Sequence, residues 1–167
     1  MTAIAYRNGI LAVDRQVTWG NIATTTNKVH TISIPGIGLC LVAMSGKLRA
    51  VDDIVEHLQT TSRGRKEPFS DLNPDSRYGI AVTQELVVYP IYGDGKLGLP
   101  DTNEFIAEGS AFEFLMGAMA GGCTAEEAVR LACVYCDSCG QGVKFYDVAY
   151  TLKWRSVKSR RNHFEEA

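Results

Sequence analysis

An excess of basic charge is what this chain most plainly lacks. Its 17 Lys and Arg are outnumbered by 19 Asp and Glu, for a net charge of −2, so no overall positive field exists to gather nucleic acid. No run approaches the roughly 18 apolar residues of a membrane-spanning helix. The first fifteen residues carry Arg7, Asp14 and Arg15 and no long apolar core, which is not the pattern of a signal peptide. Histidine is scarce too. His30, His57 and His163 are scattered, with no H-E-x-x-H zinc motif and no G-x-S-x-G elbow around any serine. Ser45-Gly46-Lys47-Leu48 lacks the upstream Gly and the closing Ser or Thr of a phosphate-binding loop. No cofactor, metal, nucleic acid or membrane partner is expected.

Five cysteines cannot form a complete set of intrachain disulfides, and together with the missing signal pattern they point to a reducing cytoplasm. Cys133, Cys136 and Cys139 are spaced C-x2-C-x2-C, as in an iron–sulfur run. A bacterial ferredoxin adds a fourth Cys and a Pro, and residues 140–145 supply neither. Positions 133 and 136 share a helix face, so small thiols buried in a core are the expected reading.

What the chain does have is enough length for one core. At 167 residues it reads as a single domain, 1–167, burying about 70% of its unfolded surface. The basic cluster Lys153, Arg155, Lys158, Arg160 and Arg161 marks 155–167 as a tail or subunit-contact segment. Leu48, Val51, Ile54, Val55 and Leu58 recur at helical spacing, which predicts an amphipathic helix over 47–58. The polar stretch 61–77 reads as an exposed connection, and 78–83 and 86–92 as strands, with Gly93-Asp-Gly95 a turn. Phe112, Leu115, Met116 and Met119 make one helical stripe ending at Gly121-Gly122. Thr124-Ala-Glu-Glu127 is a capping box, opening a helix expected to turn Ala128, Leu131, Ala132 and Tyr135 inward. Residues 143–148 and 150–154 read as closing strands. Strands, then helices, then strands give an α+β class.

The chemistry lies at the start. Thr2 opens an apolar run, Asn8-Gly9 follows, and a second run ends in Asp14. Asn-Gly between two such runs signals a type I′ hairpin, and folding about it pairs Arg7 with Ile10 and brings Thr2 beside Asp14 and Arg15. A threonine freed by loss of Met1 carries a hydroxyl nucleophile and, in its own α-amine, a general base. That amine has a reference pKa of about 7.7 to 8.0. Lys28 is the candidate ammonium to stabilise a developing charge on Oγ, Asp14 the carboxylate to orient it, and Gly46 the backbone N–H donor to an oxyanion.

In order and spacing these segments resemble the proteasome β-subunit and HslV group of N-terminal-nucleophile hydrolases. Gln16-Val-Thr-Trp-Gly-Asn21 resembles the HslV run after the Asp. Gly38 to Gly46 looks like the strand into the oxyanion turn, and Ile106-Ala-Glu-Gly-Ser110, residues 111–122 and residues 124–132 look like a strand, a Gly-rich turn and the two central helices. The likeness runs over roughly residues 2–150. It implies a four-layer αββα sandwich with two antiparallel sheets between helix layers. It also implies a threonine peptidase using Thr2, Asp14, Lys28 and Gly46, a homo-oligomeric ring, and peptide or unfolded-protein substrates; whether there is an ATPase partner is not written in the chain. Two departures stand out. Ala107-Glu108-Gly109 occupies the place of Gly-Ser-Gly, whose serine supports the terminal amine, and Cys136 or Asp137, with Cys139, occupies the supporting Asp and Ser positions. A non-hydrolytic structural subunit of the same fold, or an amidase for small molecules, are the alternatives.

Overall fold

The computed structural model describes residues 2–60 and 72–165. The fold starts as a hairpin, β1 (Ala3–Arg7) and β2 (Ile10–Asp14), with Arg7 paired to Ile10 as the Asn-Gly signal predicts. Asn8 and Gly9 take φ of 51° and 79°, the positive values a type I′ turn needs. A second hairpin, β3 (Gln16–Trp19) and β4 (Ile22–Thr25), follows directly and takes in the Gln16 to Asn21 run. Then come β5 (Val29–Ile34), β6 (Gly38–Met44) and α1 (Leu48–Gln59). Most of the expected connection, residues 61–71, lies outside the described residues. Beyond it run β7 (Arg77–Thr83), β8 (Val88–Tyr92), β9 (Phe105–Gly109), α2 (Phe112–Ala120), α3 (Ala125–Tyr135), β10 (Val143–Asp147) and α4 (Val148–Glu165).

Among the described residues the strands form two four-stranded antiparallel sheets, ordered β10-β2-β1-β9 and β5-β6-β7-β8, with β3-β4 a separate ribbon. Alternation along β1 divides its side chains between two cores. Ile4 and Tyr6 join Leu41, Ile80 and Val82 of the other sheet, whereas Ala3 and Ala5 meet Leu115, Met119, Ala128 and Ala132 of α2 and α3. A third cluster joins β6 to Val51, Ile54, Val55 and Leu58 of α1, the stripe read from the sequence. The architecture is α+β.

Three expectations give way. Residues 150–154 are helical, not extended. Val148 and Leu152, fully buried, and Tyr150 and Trp154, with rings 6.2 Å apart, are four apart in sequence. That spacing lies on one face of either a helix or a strand, and Asp147 Oδ1 decides by accepting the Tyr150 N–H at 3.0 Å, capping the helix start. The closing basic cluster therefore sits on α4, though its side chains beyond Ser156 lie outside the description. Secondly, α3 turns Ala125, Ala128, Val129 and Ala132 inward and leaves Leu131 and Tyr135 exposed. Small residues win because Ala3, Ala5, Ala12 and Ala107 pave the facing sheet, so helix and sheet approach closely. Thirdly, Phe112 leaves the α2 stripe and is 46% exposed. The capping box of Thr124 and Glu127 forms as expected.

Candidate active site

Hairpin register, not proximity in sequence, assembles the first three residues. Ile4 pairs with Val13, which sets Thr2 and Asp14 side by side at the open end of the hairpin. Asp14 is fully buried, and among the described residues its carboxylate is met by four hydrogen-bond donors. Oδ1 accepts the Ala3 N–H at 2.8 Å and Lys28 Nζ at 2.7 Å, while Oδ2 accepts the N–H groups of Gln16 at 3.1 Å and Gly140 at 3.4 Å. Lys28 enters just before β5, is also buried, and reaches Thr2 Oγ1 at 3.2 Å. A lone buried ammonium would be costly. Here its partner carboxylate is fixed by three backbone donors, so the cation is held in one place, against one hydroxyl.

β9 runs along the other side of β1, with Ala3 opposite Gly109. A Cβ at Gly109 would lie 2.2 Å from the Thr2 carbonyl oxygen, so only glycine permits this approach. One residue on, Ser110 Oγ accepts the Thr2 N–H at 2.9 Å and donates to the Thr2 carbonyl at 3.3 Å. The serine that Ala107-Glu108-Gly109 had seemed to lack is present one position later. The cue was available in the sequence, since a serine follows the glycine. The substituted Asp and Ser positions behave differently. Thr2 bonds to Ser110 and Lys28 among the described residues, and not to Cys136, Asp137 or Cys139; Cys139 is buried with its Sγ 3.5 Å from Ser138 Oγ. What this segment contributes is the Gly140 N–H to Asp14.

Gly46 leaves β6 through Ser45, whose N–H and hydroxyl both donate to the Tyr78 carbonyl. Its own N–H has no acceptor among the described residues. Thr2 and Gly46 line two cavities together. The larger, about 920 Å³, is walled by Val17, Trp19, Leu48, Arg77, Glu108 and Phe112 among others, and the smaller, about 340 Å³, by Lys28, His30, Met44, Val51 and Asp52 among others. The first is of the size that encloses a drug-sized ligand. Trp19 and Phe112, the exposed aromatics of the hairpin and of α2, are thus accounted for as cavity wall.

Glu108, read from the sequence as a departure from Gly-Ser-Gly, has a partner that the sequence did not indicate, Arg77. Its Oε1 lies 2.7 Å from Arg77 Nε, yet the N–H is not directed at it, so the oxygen has charge compensation without a hydrogen bond. Burial pushes its pKa up to about 7; Arg77 pulls the other way and loses, and Asp101 adds to the rise. Burial also lowers His30, against the pull of Asp52, and raises the Cys133 thiol to about 11. A thiol so raised is a poor nucleophile at neutral pH. The chemistry this arrangement supports is attack by a hydroxyl beside a fixed ammonium, with a backbone N–H within the same cavity to receive negative charge.

No family model matches the sequence, and no curated protein is similar to it. Solved structures are. Eukaryotic HslV from Trypanosoma brucei is 16% identical with a TM-score of 0.58, over 87% of this chain and 97% of that one. Anbu, the ancestral beta-subunit, from Yersinia bercovieri is 14% identical with a TM-score of 0.62, over 92% of this chain and 84% of that one. BPH from Thiobacillus denitrificans in complex with epoxomicin is 16% identical with a TM-score of 0.60, over 87% of this chain and 96% of that one. Identities of this size speak to the fold.

Proposed function

We infer, for a chain with the proteasome β-subunit and HslV type of fold, that it is a threonine peptidase acting through Thr2 after removal of Met1. The observation that carries this reading is the single buried ammonium, Lys28 Nζ, shared between Asp14 Oδ1 and Thr2 Oγ1. A non-hydrolytic subunit of the same fold would not require a buried cation against the Thr2 hydroxyl. The two sheets with helices against their outer faces support the four-layer αββα arrangement.

The Thr2 amine, once free, takes the proton of its own Oγ. Oγ attacks the carbonyl carbon of the scissile amide, and Lys28 stabilises the charge developing on the hydroxyl oxygen. The carbonyl oxygen becomes an oxyanion and receives the Gly46 N–H, a donor worth about 2.7 to 4 kcal/mol in such sites. Collapse breaks the C–N bond, the Thr2 ammonium protonates the departing amine, and an ester on Thr2 remains. Water, deprotonated by the same amine, hydrolyses that ester. Ser110 holds the amine in line throughout.

Peptide rather than compact amide substrates are favoured by the length of the large cavity wall, which runs from the β3-β4 ribbon past Thr2 to α2. Assembly into a ring of identical subunits is part of the proposal. It is supported by two large apolar side chains near the end of α3, Val134 and Tyr135, which are 72% and 73% exposed. A cytoplasmic site of action, drawn from the odd count of cysteines, is also part of the proposal.

The test is intact mass followed by labelling. Active protein is expected to lack Met1, and epoxomicin, the compound bound to the Thiobacillus structure, is expected to add one equivalent at Thr2. Full retention of Met1 in an active preparation would sink the assignment.

A further inference from the structure

Cys136 caps the end of α3, and the chain reverses at once. The Cys139 N–H donates to the Cys136 carbonyl at 3.3 Å, closing a turn over Asp137 and Ser138. Such a turn holds the Cα atoms of its first and fourth residues within about 7 Å, and a disulfide spans Cα separations of about 4.4 to 6.8 Å. Both thiols are free and pack against the core cluster that contains Ala12, Ala128 and Ala132. The remaining cysteine of the run is turned elsewhere, with Cys133 Sγ 4.0 Å from the Gly142 carbonyl.

The turn leads directly into the support of Asp14. Gly140, the next residue, gives its N–H to Asp14 Oδ2 at 3.4 Å, and its carbonyl accepts the Arg15 N–H at 3.2 Å. It fits closely there, since a Cβ at Gly140 would lie 2.5 Å from Gln16 Oε1. Cys139 Sγ lies 3.5 Å from Ser138 Oγ, a contact it must leave in order to bond Cys136.

We propose that Cys136 and Cys139 are a reversible thiol–disulfide pair, and that closing it withdraws the Gly140 N–H from Asp14 and lowers turnover. The control of turnover rests on the peptidase reading; the pairing of the thiols does not. The co-reactant is a small-molecule disulfide. The half-buried Cys136, as thiolate, attacks one of its sulfurs and expels the first thiolate, leaving a mixed disulfide. Cys139, whose pKa burial raises, is the later of the two to give up its proton, and attacks Cys136 Sγ to expel the second thiolate. The two expelled thiolates take up the two protons, and two electrons pass from the protein to the reagent. In a reducing compartment the pair rests as the dithiol.

The experiment exposes reduced protein to oxidised glutathione, then blocks the remaining thiols and records intact mass and peptide cleavage side by side. Wild type is expected to form one intrachain disulfide, a loss of two hydrogen atoms. Cleavage should fall about tenfold, the effect of one hydrogen bond to a charged group, and recover in dithiothreitol. Cys133→Ser should behave in the same way. Cys136→Ser should form no disulfide and keep its ratio of oxidised to reduced activity near one, and Cys139→Ala should stop at a glutathione adduct on Cys136. The ratio is internal to each variant, so a general loss of activity does not disturb it. No disulfide in wild type, or one that still forms in Cys136→Ser, overturns the pair. A disulfide that leaves cleavage unchanged, or a loss of cleavage that persists in Cys136→Ser, overturns the control of turnover. Reduced protein with neither peptide cleavage nor an epoxomicin adduct on Thr2 overturns the peptidase reading, and the mass measurement still decides the pair.

Discussion

Lys28 Nζ and Asp14 Oδ1 are 2.7 Å apart with side chains 7% and 0% exposed, a buried ion pair whose cation also touches the Thr2 hydroxyl. Removing one member leaves the other charge uncompensated. Lys28→Ala is therefore expected to cost about 3 to 5 kcal/mol of stability and to abolish turnover. Lys28→Arg keeps the charge but replaces a compact ammonium with a planar fork, and should be inactive. Chemical denaturation alongside peptide hydrolysis checks both; an active Arg variant would show that a compact cation against Oγ1 is not required.

Thr2→Ala removes the hydroxyl and keeps the backbone N–H that Ser110 accepts. Turnover should vanish while the unfolding midpoint shifts by no more than about 1 kcal/mol equivalent. Residual activity within about tenfold of wild type would place the nucleophile elsewhere.

Glu108 gives stability a pH dependence of definite sign. Its pKa rises on folding from 4.5 to about 7, chiefly through burial, so the folded state binds its proton more tightly than the unfolded chain. The contribution is present in full below about 4.5, falls as pH rises, and is lost above about 7. The difference is on the order of 3 kcal/mol. Glu108→Gln should remove this slope and be more stable than wild type at pH 8. Thermal melts of both proteins from pH 5 to pH 8 test it, and parallel curves would refute the buried carboxylate's role.

The exposed apolar side chains of Val134 and Tyr135 near the end of α3 predict self-association. Sedimentation should give a species of six or more subunits rather than a monomer of 18.3 kDa. Val134→Glu with Tyr135→Glu, at positions 72% and 73% exposed, should dissociate it without unfolding the chain. A stable monomer that still cleaves peptides would keep the chemistry and discard the ring.

Much of the candidate site was legible because its signals are local. Asn8-Gly9 imposes a turn through backbone sterics alone, and a turn fixes register, so the placing of Thr2 beside Asp14 and Arg15 followed by counting. The α1 stripe and the α3 capping box are likewise properties of short segments. Tertiary contact decided the rest. The spacing of Val148 and Leu152 suits both periods, and the helix there is set by the Asp147 cap on the Tyr150 N–H together with burial of both side chains in one core. Which face of α3 turned inward depended on the alanines of a sheet distant in sequence. Ser110, 108 residues from Thr2, is brought against it by the β1-β9 register, and Arg77, Asp101 and Glu108 meet only where two sheets face each other. Local sterics reach a few residues along the chain, whereas a buried charge is defined by everything packed around it.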